Sequence, residues 1–310
     1  MDNISHSYLD IRGLKLHISE IGTGPGVVFL HGFPEIWYSW RHQMIAVANA
    51  GFRAIAPDFR GYGLSEKPIE PEKTTFKDLV DDLLVMLDIL HIPKVILIGK
   101  DFGARVAYHF GLVHPERVVA IATLGVPFVV LTPETFPGNL PKGFYVLRFR
   151  EPGRAEQDFA RFDVKTVIKK IYIMFTASDL QVASEDQEIL DLVDESAPLP
   201  AWFTPDDLQT YADLYDKSGF QTALQVPYRA WLEDYGVDEL IVRAPSLLIM
   251  GEKDYALKFG GFEHYIRSGM AKNNVPNLET TFVPDGTHFV QEQFPDEINK
   301  ILIKFLSKHA

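Results

Sequence analysis

Short apolar, β-branched runs that end in turn residues and alternate with helical patterns leave this chain few folds to choose from. "VVFL" (27–30), "RAIAPD" (53–58), "KVILIG" (94–99) and "VVAIATL" (118–124) are such runs. Between them lie stretches like "FKDLVDDLLVMLDIL", where leucine and valine recur at three- and four-residue steps, the spacing of one helix face. Strands that are apolar throughout are buried on both sides, so the pattern predicts an α/β fold with a mostly parallel sheet between helices. Ahead of it, "SYLDIRGLKLHISEIG" alternates apolar and polar residues on either side of "RG" and predicts a two-stranded hairpin.

The rhythm breaks near Pro127. From there to about Trp231 the sequence holds aromatics, prolines and helix-like segments without a strand pattern. Within it, "APLPAWFTPDDL" (197–208) predicts a loop entering a helix, with Thr204 as N-cap and Pro205 at the first position. "SLLIMGEKD" (246–254) and "TTFVPDGTHF" (280–289) restore the strand-then-loop pattern, and a closing amphipathic helix is expected over 296–307. The expected organisation is a core of residues 1–127 and 233–310, with a helical cap of residues 128–232 inserted between two of its strands.

Composition narrows the partners. With 310 residues, 46% of them hydrophobic, the chain can bury one such core. Its net charge of -12 argues against a nucleic-acid backbone or anionic lipid as partner. The chain has no cysteine, hence neither a disulfide framework nor a thiolate metal site. "MDNISHSYLD" shows no apolar signal region, and the longest apolar run, around Val118 to Leu131, is too short to span a bilayer. A cytoplasmic protein is expected, monomer or homodimer, bound to neither nucleic acid nor membrane. His109 and His114 are five apart and do not share a helix face, so no metal is expected there. "GTGPG" lacks the spacing of a dinucleotide loop. No cofactor is expected.

Three strand ends carry acid–base groups: Asp101, then Asp254, then His288. In an α/β sheet, functional groups collect at the carboxyl ends of strands, and nucleophile–acid–histidine is the chain order of the α/β-hydrolase triad. Gly99 and Gly103 flank Asp101 in G-x-D-x-G, a variant of the turn that displays a serine nucleophile. A serine would need histidine to remove its proton, whereas a carboxylate with a pKa of about 3.9 is already ionised. Asp101 can therefore attack unaided and form an ester of its own side chain. His288, oriented by Asp254, is left to activate the water that hydrolyses it. Epoxides and alkyl halides are the electrophiles that suit such a nucleophile.

"HGFPEIWYSWRHQ", "APDFRGYGLS", "GKDFGARVAYHF" and "DGTHFVQEQ" resemble the soluble epoxide hydrolases of the α/β-hydrolase superfamily, most of all the plant type. The resemblance covers nearly the whole chain, densely in the core and more loosely in the cap. It implies hydrolysis of epoxides to vicinal diols, with Asp101 as nucleophile, His288 as base and Asp254 as its orienting acid. It implies that "HGFP" is the oxyanion loop, usually with a cis proline, here Pro34, and that the N–H groups of Phe33 and Phe102 form the oxyanion hole. Glu35 matches a position that orders the hydrolytic water. Two cap tyrosines that bind the epoxide oxygen and protonate it match Tyr145 in "FYVLRFREPG" and Tyr228 in "VPYRAW". Pro34, Trp37, Phe128 and Phe289 are expected to line an apolar pocket, whose partners are a small apolar epoxide and water.

The sequence departs from the family at three points. Lys100 replaces the usual histidine before the nucleophile, where its charge either holds the carboxylate ionised or points away. Phe102 replaces a commoner tryptophan. "ALQVPYRA" carries one residue more than the family spacing and lacks a second adjacent tyrosine. A haloalkane or haloacid dehalogenase would share the aspartate and histidine, but Phe102 stands where many such enzymes carry a halide-binding tryptophan, and the arginine of the fluoroacetate type is absent too. A ligand-binding protein that keeps the hydrolase shell is the alternative from another class, favoured only by Lys100 and the altered "QVPYRA".

Overall fold

Arg12 and Gly13 both take positive φ, 49° and 82°, as a two-residue hairpin turn matched to the twist of its strands requires. They join β1 (Ser5–Ile11) to β2 (Leu14–Ile21), the hairpin expected from the alternating pattern. The computed structural model describes residues 3–130, 140–230, 235–258 and 261–310. After the hairpin come β3 (Gly26–Leu30), β4 (Arg53–Pro57), β5 (Val95–Lys100), β6 (Val118–Leu124), β7 (Ser246–Gly251) and β8 (Leu278–Val283). Among the described residues these form one sheet in the order β1-β2-β4-β3-β5-β6-β7-β8. β2 runs antiparallel to β1 and β4; every other pairing is parallel.

Helices α1 (Arg41–Asn49), α2 (Phe76–Ile89) and α3 (Phe102–Val113) connect the first strands. Five more, α4 (Tyr145–Arg150), α5 (Arg154–Phe159), α6 (Val164–Thr176), α7 (Pro205–Ser218) and α8 (Gln221–Arg229), lie between β6 and β7. The chain closes with α9 (Phe262–Arg267), α10 (Val290–Gln293) and α11 (Pro295–His309). α1 packs on α11 and α2 on α3. All residues of β5 and β7 are buried, which accounts for their unbroken apolar runs. No helix among the described residues is long and apolar enough to cross a membrane.

No strand occurs between β6 and β7 among the described residues, in line with the break in pattern at Pro127; the expected boundary at 232/233 lies outside them. Thr204 caps α7 as its sequence predicts: its hydroxyl accepts the Asp207 N–H (3.1 Å) and the Asp207 carboxylate accepts the Thr204 N–H (3.0 Å). Asp207 also accepts from Arg41 in α1 (2.9 Å) and from the Tyr38 hydroxyl (3.0 Å). The residue that closes this helix end therefore ties it to the sheet's own helices.

From β3 the chain crosses to β4 on one side and returns to β5 on the other. At such a reversal the loops diverge and open a crevice beyond the carboxyl ends of the strands. The residues that follow β3, β5, β7 and β8 meet there.

Candidate active site

The turn after β5 is held in a conformation few residues accept. Asp101 has φ 52° and ψ -126°, a strain on the order of 1–3 kcal/mol for a non-glycine residue. Its N–H donates to Leu124 O (3.1 Å) in β6 and its carbonyl accepts from Ala104 N–H (3.0 Å). The flanking glycines are required by contact. A Cβ at Gly99 would lie 2.5 Å from Gly103 O, and one at Gly103 would lie 2.3 Å from Leu30 O. Strand and helix thus approach closely at the turn that carries Asp101.

Three expected groups come together around it. His288 Nε2 lies 3.5 Å from Asp101 Oδ2, and His288 Nδ1 lies 3.0 and 3.1 Å from the two oxygens of Asp254. The Nδ1 contact with a carboxylate makes Nδ1 the nitrogen that Asp254 holds, so Nε2 is the nitrogen that faces Asp101. Asp254 also accepts from Ala256 N–H (2.9 Å), capping the 3₁₀ turn Tyr255–Lys258 while it holds the histidine. The side chains of His288 and Asp254 are 2% and 1% exposed, whereas that of Asp101 keeps 24%. Asp101 is the member a substrate can reach.

The loop "HGFPE" after β3 brings the rest. Phe33 N–H donates to Asp101 Oδ1 (3.2 Å), and the nearby Phe102 N–H lowers the pKa of this carboxylate. The Phe33–Pro34 bond is cis and Pro34 is buried. Glu35 is buried too, its Oε2 accepting from Gly32 N–H (3.2 Å) and its Oε1 from the Gln291 amide. His31 shapes the loop: its Nε2 accepts from Phe59 N–H (3.1 Å), which leaves Nδ1 to donate to Gly32 O (2.9 Å). Burial lowers its pKa to about 4, so it stays neutral.

Charge is distributed unevenly. Burial works against an ionised Asp101, but the hydrogen bond and charge of His288, the charge of Lys100 and the Phe102 N–H outweigh it and hold its pKa below the ordinary carboxylate value. Burial likewise works against a protonated His288; Asp254 and Asp101 overcome it, against Lys100, and raise the histidine above its usual value. Glu35 is pushed up to about 7 by burial, with Lys100 opposing. Lys100 is fully buried, and its Nζ lies 5.8 Å from the Phe289 ring. Its side chain turns inward to the site.

Residues of the helices inserted between β6 and β7 reach the same crevice. Tyr145, at the start of α4, and Tyr228, in α8, are buried with ring centroids 6.0 Å apart, and Tyr228 meets the Phe33 ring edge-on at 5.6 Å. Pro227 lies inside α8, so the irregular "QVPYRA" still delivers its tyrosine. Burial raises the pKa of both phenols, and both keep their protons. Phe289 packs between His288 (5.6 Å) and Tyr172 (4.4 Å). Trp37 and Phe128 go elsewhere. Trp37 packs on His6 (4.8 Å) and His17 (6.1 Å) of the hairpin, and Phe128 on Tyr108 (5.4 Å) and Tyr235 (6.2 Å).

Sequence reasoning passed over residues that the structure brings to the site. Tyr255 directly follows Asp254, lies over His288 at 4.9 Å, and has its hydroxyl 3.2 Å from that of Tyr145. Phe175 of α6 covers Tyr255 at 5.5 Å. The only signal for Tyr255 was its adjacency to Asp254; Phe175 had none. Among the described residues no cluster of three or more potential metal ligands occurs.

A family model of the alpha/beta hydrolase fold matches residues 25–295. An "Epoxide hydrolase 2" of Siraitia grosvenorii is 37% identical over 318 residues, covering 99% of this chain and 100% of that protein. Among solved structures, an epoxide hydrolase from Vigna radiata superposes with a TM-score of 0.91 at 33% identity, covering 99% of each chain. Potato (Solanum tuberosum) epoxide hydrolase I superposes with a TM-score of 0.87 at 32% identity, covering 98% of this chain and 99% of that one.

Proposed function

Because the chain belongs to the epoxide hydrolases of the α/β-hydrolase family, we propose that it converts apolar epoxides to vicinal diols through an ester on Asp101. The observation that carries this reading is the arrangement around that carboxylate: Oδ1 engaged by the Phe33 N–H and Oδ2 facing His288 Nε2. Oδ2 attacks one of the two ring carbons. The carbon–oxygen bond of the epoxide breaks, its electron pair goes to oxygen, and Tyr145 or Tyr228 supplies the proton. A phenol suits this step because, with a pKa near 10 or above, it stays protonated until an alkoxide forms.

In the second half, His288 Nε2 takes a proton from water, and the hydroxide attacks the carboxyl carbon of Asp101. Charge develops on Oδ1, where the N–H groups of Phe33 and Phe102 stabilise it. Collapse releases the diol, which takes the proton from His288. The proton on the regenerated carboxyl returns to the tyrosinate, so the cycle balances with no cofactor. Glu35, tied to Gln291 and poised near neutrality, helps to hold the attacking water. The inserted helices, residues 128–232, serve as a cap over the crevice. Phe33, Phe149, Phe175, Tyr145 and Tyr228 give it an aromatic wall, which favours an apolar substrate.

His288→Gln should stall the second half and trap the ester. Intact mass after exposure to aryl and alkyl epoxides is expected to rise by the whole epoxide, and not to rise in Asp101→Asn/His288→Gln. A rise only with alkyl halides, by the alkyl group, would move the protein to dehalogenase chemistry. Phe102, which has no side-chain N–H to hold a halide, argues against that outcome.

A further inference from the structure

We propose that Tyr255 is a positioning residue for ring opening: its hydroxyl donates to that of Tyr145 and leaves the Tyr145 proton for the epoxide oxygen. This rests on the epoxide-opening reading above and adds a third tyrosine to it. The two hydroxyl oxygens are 3.2 Å apart, both side chains are buried, and the rings meet edge-on at 6.2 Å. The pair joins distant parts of the chain: Tyr145 begins α4 of the cap, and Tyr255 follows Asp254 at the end of β7.

Two phenols that share one hydrogen bond cannot both donate in it. If Tyr145 donated, its proton would be engaged by Tyr255; if Tyr255 donates, the Tyr145 proton is not spent in this bond. Ring opening favours the second arrangement. As the carbon–oxygen bond breaks, the proton passes from Tyr145 to the alkoxide and the electron pair stays on the Tyr145 oxygen. Tyr255 then donates to a phenolate, and a bond to a charged acceptor is stronger than one between neutral phenols. The contact tightens as the reaction proceeds, which is what accelerates a step rather than merely binding its substrate. The charged and titratable groups facing the pair are Asp101 and Asp254 from the strand ends, His288 beneath Tyr255, and Tyr228 from α8. Both carboxylates oppose a phenolate, and Tyr255 offsets them with a donor. Its ring is fixed by Phe175 (5.5 Å, 26°) and His288 (4.9 Å, 41°), so the hydroxyl is already aimed.

Tyr255→Phe removes the donor and keeps both ring contacts. Rapid mixing of excess enzyme with an aryl epoxide separates ester formation from ester decay. Ester formation should slow by about tenfold, because the Tyr145 phenolate that forms as the ring opens has lost its donor. Decay should change by less than about twofold. In 3-fluorotyrosine placed at position 255, the ring stays and the donor is stronger; this variant should form the ester at least as fast as the wild type. Slowing of both half-reactions to the same extent would mean that Tyr255 only packs on His288, and would overturn the proposal. So would an unchanged rate of ester formation. If the wild type itself forms no ester, the ester mechanism fails, visible in the wild-type trace alone, and the role of Tyr255 falls with it.

Discussion

Lys100 is a fully buried amine with no hydrogen-bond partner among the described residues, one position before Asp101. Its charge acts on three groups at once: it favours ionised Asp101 and Glu35 and disfavours protonated His288. The pH dependence follows from those signs. Under the proposed mechanism His288 acts as a base only when neutral. Ester decay is therefore lost as pH falls through the pKa it has in the ester, where Asp101 carries no charge and Asp254 still raises it against Lys100. Lys100→Met removes the opposing charge and raises that pKa further. The acid limb of ester decay is therefore expected at higher pH than in the wild type, measured by single-turnover decay across a pH series. A limb that stays in place would show that His288 does not feel Lys100. The inward turn of this side chain could not be read from its type; it follows from β5 being buried at every residue, which leaves Lys100 no route to solvent.

At the scale of elements, two devices hold the site together. In the first, α3 presses on β3 and β5 through Gly103 and Gly99. Gly103→Ala would place a methyl 2.3 Å from Leu30 O, and such overpacking costs about 1–3 kcal/mol or more. The loss should appear as a lower Tm together with slowed ester formation, since the same shift moves Asp101. The second device is Arg41, buried between α7 and the residues that follow β8. It donates to Asp207 of α7 (2.9 Å) and to Glu292 (2.6 Å), which also accepts from Tyr211 of α7 (3.1 Å) and Tyr172 of α6 (3.4 Å). Arg41→Met leaves Glu292 and Asp207 without their cation, and breaking a buried pair in this way costs about 3–5 kcal/mol. Denaturant unfolding is the measurement; a loss below about 1 kcal/mol would mean that the tyrosines and Thr204 suffice. The Thr204 cap could be read from "FTPDD", because a capping box is local. The Arg41 latch could not, because its partners lie 166 and 251 residues away.

Over the whole molecule, what could be read early is what depends on neighbours in sequence. Strand runs, the "RG" hairpin, the glycine-flanked turn and the order Asp101, Asp254, His288 are all of that kind, and the sheet brings the last three to one crevice. What could not be read depends on where side chains turn in aperiodic segments. Trp37 stands in a 3₁₀ turn that carries its ring back to the hairpin, and Phe128 packs on Tyr108. Tyr255 acquires its meaning from a residue of α4 110 positions earlier. All of these parts serve one claim, that the diol's new oxygen comes first from Asp101 and only then from water. A single turnover in ¹⁸O-water with excess enzyme tests it directly. The account predicts an unlabelled diol and one ¹⁸O in the peptide that contains Asp101. Label in the diol after that first turnover, with Asp101 unlabelled, would mean that water attacks the epoxide itself and would contradict the account.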